Sequence, residues 1–218
     1  MTWALDGRNI DPMGRLPGTP NFRGSLSTSR PTAGKWAVTD FPFPPGVPGR
    51  WRPLSRAQRE QWLIAACNRH FKKLRRRQGW KDAEAGTVFV IDGAAIVDHP
   101  ALLCALGEAI NGPGGYFGGM KSLSLQDCLF GSFGVTLPFV LRIENMDACR
   151  AHLDGLALAE WASRRLASGD FLDEDGKRWL EEAVRDGRRQ LRCFLDVVLD
   201  ELRFHGVAIE AGSTGTQP

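Results

Sequence analysis

A chain of 218 residues with 43% hydrophobic and 24% charged residues has the composition of a soluble globular protein, with room for one full core and an extension. Its net charge of +3 conceals two oppositely charged parts. Residues 1–81 hold 16 Lys/Arg against 4 Asp/Glu, a net +12, and residues 82–218 hold 12 against 21, a net −9. We therefore expect the two parts to meet different surfaces, or each other.

Cysteine usage and hydropathy argue against a zinc or redox protein, a secreted protein and a membrane protein. The 5 cysteines are odd in number and widely spaced, and no Cys-x-x-Cys pair points to zinc or redox work. The first residues lack the apolar core of a signal peptide, and no run approaches the roughly 18 apolar residues of a membrane span. A cytoplasmic location with reduced cysteines and no membrane association is expected.

Residues 1–54 are predicted to form an irregular extension rich in proline and glycine, because 9 of the 13 prolines lie within residues 1–53. Five aromatic residues argue against pure disorder, since a chain that stays solvated carries few of them. These are Trp3, Trp36, Phe41, Phe43 and Trp51. We expect some of them to dock onto the folded domain.

Residues 55–81 are predicted to form a basic amphipathic helix. Ser55 and Gln58 match a capping box, and one stripe is apolar at spacings of three and four: Leu63, Cys67, Phe71 and Leu74. The other face holds five cations: Lys72, Lys73, Arg75, Arg76 and Arg77. Three interpretations stay open for them, namely a solvated face, docking on the acidic part or on a partner, and contact with nucleic acid.

Residues 82–211 alternate short apolar runs with helical patterns. Strands are predicted at 88–93, 137–145 and 207–209, and helices from Asp98, around 123–130, in part around 153–166, from Asp175, and over 188–205. The last helix is expected to bury Leu191, Leu195, Val198 and Leu202. The pattern indicates an α/β domain with a small three-stranded parallel sheet covered by helices, followed by a disordered tail at 212–218.

No catalytic, metal or cofactor motif is present. The glycine-rich turn at 111–119 fails the dinucleotide fingerprint because its sixth position from Gly112 is Phe117, and the Walker pattern fails because Met120 precedes Lys121. The 4 histidines are isolated, and no nucleophile elbow occurs. We therefore expect a protein that is not an enzyme, with no cofactor and no metal site.

The stretch YFGGMKSLSLQDCLFGSFG at 116–134 resembles the barstar family of ribonuclease inhibitors, whose pattern runs Tyr-x-Gly, an Asn-Leu-Asp segment, then Asp-Cys-Leu. The order of strands and helices around it also fits that family over residues 86–211. The chain departs from the family at Met120, Lys121 and Ser122, which replace Asn-Leu-Asp, and at Gln126, which replaces an aromatic residue. One acidic and one aromatic contact are therefore missing.

The resemblance implies a partner-binding site made of Tyr116, Gly118, Asp127, Gly131 and Glu201. It makes Tyr116 an interfacial aromatic, Asp127 the acid that enters the enzyme's catalytic pocket, and Glu201 a supporting acid on the last helix. The implied partner is a basic extracellular-type ribonuclease or a ribonuclease toxin, blocked by an immunity-type inhibitor. The alternative from another class is an RNA-binding or regulatory protein that uses the basic extension, with the barstar-like domain as its scaffold.

Overall fold

The structure is a computed structural model that describes residues 46–76, 81–119, 125–171 and 173–212. Within these ranges three strands pair in parallel in the order β1 (Val88–Asp92), β2 (Val140–Glu144) and β3 (Ala208–Gly212). The α/β class and the three-stranded parallel sheet predicted from the sequence are confirmed.

Only one face of the sheet is buried. Phe89 and Ile91 of β1 lie in the core, whereas Val88 and Val90, which alternate with them, are exposed. Side chains alternate between the two faces of a strand, so this pattern means that the helices cover a single face. Within the described residues the sheet thus differs from the usual parallel sheet, which is covered on both faces.

The described residues form six α-helices that contribute to one hydrophobic core with the buried face of the sheet. They are α1 (Arg56–Arg75), α2 (His99–Asn111), α3 (Met146–His152), α4 (Gly155–Ser168), α5 (Glu174–Arg188) and α6 (Phe194–Phe204). Two short 3-10 helices, Gly93–Ala95 and Gln126–Phe130, follow β1 and precede β2. The second of these replaces the α-helix expected around 123–130.

Helix α1 starts with the predicted capping box, in which Ser55 accepts from the Gln58 amide and the Gln58 side chain accepts from the Ser55 amide. Its buried face is rotated from the predicted stripe. The residues that enter the core are Trp62, Leu63, Ala66 and His70, while Cys67, Phe71 and Leu74 are half-buried. The large Trp62 ring faces the core, so α1 packs on α2 as part of one core with the rest of the domain.

One aromatic residue of the extension docks onto the domain. Trp51 is buried, and its indole Nε1 donates to Oε2 of Glu108 on α2 at 3.2 Å. The Gly49 amide donates to the same carboxylate at 2.9 Å. The other four aromatic residues of the extension lie outside the described residues, as do Arg77 and residues 213–218 of the expected tail, while Gly212 belongs to β3.

The last helix is shorter than predicted. Helix α5 runs to Arg188, Gln190 then adopts a left-handed φ of 56°, and α6 begins only after Cys193, whose sulfur accepts from the Asp196 amide. Leu191 consequently lies outside the helix and is 68% exposed. The buried stripe of α6 is Phe194, Leu195, Leu199 and Leu202.

Candidate functional site

The 3-10 helix Gln126–Phe130 presents one acid and one aromatic ring at the surface. Cys128 and Leu129 are buried and anchor the helix, while Asp127 is half-buried and Phe130 is 69% exposed. A phenylalanine ring with this exposure leaves apolar area in contact with water, and such area marks a binding surface only where it is part of a larger patch. Asp127 is the side chain of this helix that the resemblance places at the interface, whereas Phe130 is not among the residues that it names.

The end of α6 carries the second acid. Leu199 and Leu202 hold the helix in the core, and Glu201 lies on the exposed side with its side chain 45% accessible. Oε1 of Glu201 lies 3.3 Å from Nε2 of His205, one turn further on. Phe204, next to His205, is 72% exposed. The arrangement keeps a carboxylate and an aromatic ring together at the end of the helix.

A contact between side chains joins these two segments. The rings of Phe130 and His205 meet edge to face with centroids 5.6 Å apart, and His205 also packs against Phe204 at 5.1 Å. The helix with Asp127 and the helix end with Glu201 therefore lie side by side, although 74 residues separate the two acids in sequence. We call the surface made by Asp127, Phe130, Glu201, Phe204 and His205 the acidic-aromatic surface.

Sequence reasoning had no means of finding Phe130, Phe204 and His205. Phe130 and Phe204 are the last residues of their helices and His205 follows one, and no sequence pattern distinguishes the three from core residues. Exposure and mutual contact, which only the folded chain shows, make them part of the surface.

Tyr116 is buried, whereas the resemblance predicts an interfacial aromatic residue at this position. It is 1% exposed and packs against His70 of α1 and against Phe133, with ring centroids 5.9 and 6.3 Å away. Burial raises the pKa of the Cys67 thiol, and a side-chain hydrogen bond with Tyr116 lowers it. The interpretation of Tyr116 as an accessible anchor does not fit this geometry, because α1 covers the ring.

Gly118 and Gly131 have backbone roles. Their φ angles are +77° and +97°, a region that residues with a side chain rarely adopt. A Cβ at Gly118 would lie 2.8 Å from Cδ1 of Leu125, so a side chain there would also collide with its neighbour. Both glycines flank the segment that holds Asp127, and they shape it without offering a side chain to a partner.

The loop that follows the 3-10 helix is held by polar side chains that the sequence did not reveal. Asp82 accepts from the amides of Ser132 and Gly134 at 3.0 and 2.8 Å. Asn111, at the end of α2, donates to the carbonyls of Tyr116 and Phe133 at 2.7 and 2.9 Å. These bonds tie the glycine-rich turn to the loop at 131–134 and so fix the position of Phe130 at its start.

Helix α1 contacts the same loops from outside the region of resemblance. Nε2 of His70 donates to the Ser132 carbonyl at 3.0 Å, and Nη2 of Arg69 donates to the Gly114 carbonyl at 3.0 Å. Burial lowers the pKa of the His70 imidazole. The last turn of α1 exposes four of the five predicted cations, Lys72, Lys73, Arg75 and Arg76.

Among residues 46–76, 81–119, 125–171 and 173–212, no group of three His, Cys, Asp or Glu side chains is placed to hold a metal ion. No helix in those ranges is both long and apolar enough to cross a membrane.

Comparison of the chain with known proteins finds no matching family model, no matching curated protein and no matching solved structure. The resemblance to the barstar family stays a prediction that the residues at 116–134 carry.

Proposed function

We propose that this protein is an inhibitor that binds the active site of a basic ribonuclease through the acidic-aromatic surface. The contact of Phe130 with His205 carries the proposal, because it brings the helix that holds Asp127 against the helix end that holds Glu201. Residues 82–218, which contain that surface, have 21 Asp/Glu against 12 Lys/Arg, a net −9. Such a charge favours encounter with a basic protein and accelerates its association.

Chemical complementarity supports the choice of a ribonuclease as the target. A nuclease binds the phosphates of RNA with Lys, Arg and His, and a carboxylate on a rigid helix mimics a phosphate oxygen in charge and hydrogen-bonding capacity. Asp127 sits on a helix anchored by Cys128 and Leu129, so little conformational freedom is lost when a partner binds it. Glu201 is held near its exposed position by His205.

The exposed rings provide the apolar part of the interface. Aromatic residues near the centre of an interface often contribute most of the binding free energy, with charged residues around them. Phe130 and Phe204 flank His205 in the acidic-aromatic surface, and we assign this role to them. In our proposal Phe130 takes the aromatic role that the resemblance had given to the buried Tyr116.

The experiment uses the full chain and a panel of small basic ribonucleases. RNA cleavage is measured at increasing concentrations of the chain, and binding to any inhibited enzyme is measured by calorimetry. Inhibition with one-to-one stoichiometry is expected. Phe130→Ala should weaken binding by roughly 30-fold or more, and Asp127→Asn by a similar factor, because loss of a central interface residue costs about 2 kcal/mol or more.

Matched controls separate this surface from the general charge and hydrophobicity of the chain. Leu191→Ala removes an equally exposed apolar side chain, and Glu181→Gln removes an exposed carboxylate from α5. Both should leave the affinity within about threefold of the unmodified chain, since changes outside an interface are nearly neutral. Absence of inhibition across the panel, or equal losses in the controls, contradicts the proposal.

A further inference from the structure

The last turn of α1 forms a compact positive patch. Lys72, Lys73, Arg75 and Arg76 are all exposed, and Nε of Arg75 donates to the Phe71 carbonyl at 3.4 Å. We call these four residues the basic helix end. None of these four residues belongs to the acidic-aromatic surface, which is made by other elements.

The four cations have no carboxylate partners in the part of the chain that the structure describes. Most of the other lysine and arginine side chains described there do form ion pairs. The paired residues are Arg52, Arg56, Arg59, Lys81, Arg142, Arg150, Arg164, Arg165, Lys177, Arg178, Arg185 and Arg203. Docking of the basic helix end onto the acidic half of the same chain is therefore not observed.

The spacing of the four cations opposes helix stability. Side chains three and four positions apart are neighbours on a helix, so Lys72 faces both Arg75 and Arg76, and Lys73 faces Arg76. Each like-charge pair costs about 0.2–0.5 kcal/mol in an isolated helix. Cations do complement the negative end of the helix dipole, but one or two would suffice for that effect. The remaining repulsion is relieved when a polyanion binds.

The patch is also held rigidly. Trp62 and Leu63 bury the opposite side of α1, and Arg69 and His70 bind the carbonyls of Gly114 and Ser132. A fixed row of cations loses less conformational entropy on binding than a flexible basic tail. The end of α1 is thus arranged to contact several anionic groups together.

We propose that the basic helix end binds the phosphate backbone of RNA, without regard to base sequence. Interfaces between proteins are depleted in lysine and contain exposed apolar anchors at their centre. Within α1, no large apolar side chain of the described residues is exposed. Cations without an apolar anchor suit a phosphate backbone, whose binding is dominated by charge. The full chain then carries two binding surfaces, one for RNA and one for protein.

The test measures fluorescence anisotropy of two labelled RNA 20-mers of different sequence, titrated with the full chain at several KCl concentrations. With four phosphate contacts, a plot of log Kd against the logarithm of the KCl concentration should have a slope of about 3. The Kd should therefore rise about 50-fold between 50 and 200 mM KCl. Replacing all four cations (Lys72→Gln, Lys73→Gln, Arg75→Gln and Arg76→Gln) should weaken binding at least tenfold and remove most of that slope.

A matched variant carries the same change in net charge elsewhere: Arg164→Gln, Arg178→Gln, Arg185→Gln and Arg203→Gln. It removes exposed arginines that are already paired, so RNA affinity should stay within about threefold. Equal losses in the two variants, or no loss in the first, overturn the proposal. A polyglutamate peptide that displaces the RNA at equal concentration overturns the choice of RNA and indicates an acidic protein instead.

Thermal unfolding of the first variant provides an independent check. Removing three like-charge pairs should leave the unfolding temperature unchanged or raise it slightly. A fall of several degrees would show that the four cations stabilise the fold, which contradicts the repulsion argument.

Discussion

Tyr116 and Phe130 lie 14 residues apart in sequence, each beside glycines, yet the fold treats them in opposite ways. Tyr116 is 1% exposed under α1, and Phe130 is 69% exposed beside α6. The sequence around them does not distinguish the two rings. Helix α1 makes the difference between the two rings, because it covers the glycine-rich turn that holds Tyr116 and leaves the 3-10 helix that holds Phe130 accessible.

The comparison shows how a helix outside the region of resemblance determines which of two aromatic rings is accessible. Residues outside the region of resemblance supply His70 and Cys67 against the Tyr116 ring. In the interface that we propose, Phe130 therefore replaces Tyr116 as the aromatic contact, while Asp127 is half-buried and Glu201 is exposed. Four predictions test the two sides of this comparison.

The largest expected loss of stability comes from removing the buried ring of Tyr116. Tyr116→Ala should lower the free energy of unfolding by about 3–5 kcal/mol, because it leaves a cavity under α1. Phe130→Ala should change it by less than about 0.5 kcal/mol, since its ring is exposed. Urea unfolding of both variants measures the difference. Similar values for the two variants would contradict the burial assigned to Tyr116.

The attachment of α1 depends on a buried ion pair. Nη2 of Arg59 lies 2.5 Å from Oδ2 of Asp98 at the start of α2, and Nη1 also bonds the Leu54 carbonyl. Arg59→Met leaves that carboxylate unpaired and should cost about 3 kcal/mol by urea unfolding. Arg178→Met, which breaks an exposed pair with Asp175, should cost less than about 1 kcal/mol. An equal cost in both variants would rule out Arg59 as an anchor of α1.

The attachment of α6 should depend on pH. His99 packs against Phe194 and Trp161, and burial followed by the charge of Arg56 lowers its pKa from 6.5 to about 4. The unfolded chain therefore binds this proton more tightly, so stability is full above pH 6.5 and falls as the pH drops toward 4. The loss is at most about 3 kcal/mol, measured by urea unfolding at several pH values.

His99→Leu serves as the control for this pH dependence. The variant should show a flatter profile between pH 6.5 and 4, because the titrating group is gone. A decline as steep as that of the unmodified chain would assign the effect to other groups.

The smallest expected loss of stability comes from a change in the first turn of α1. Ser55→Ala removes one half of the capping box and should cost about 1 kcal/mol. Ser168→Ala at the end of α4, where the hydroxyl only bonds an exposed carbonyl, should cost less than about 0.5 kcal/mol. Thermal unfolding distinguishes the two, and the reverse order would show that α1 does not depend on its cap.

Much of this fold was predictable from local patterns. The caps at Ser55 and Asp98, the apolar strands and the glycines with positive φ are each determined by a few neighbouring residues. The start of α6 was not predictable, because Gln190 adopts a left-handed conformation that its residue type does not demand. The same limit applies to Tyr116, whose burial depends on a helix 40 residues earlier in the chain.

The most direct test of the acidic-aromatic surface is hydrogen exchange of the full chain, alone and with an inhibited ribonuclease. The account predicts slower exchange of amides at 126–131 and 201–206 on binding, with the amides of α5 unchanged. Protection confined to other segments, with exchange at 126–131 unaltered, would contradict the proposal that this surface binds the partner.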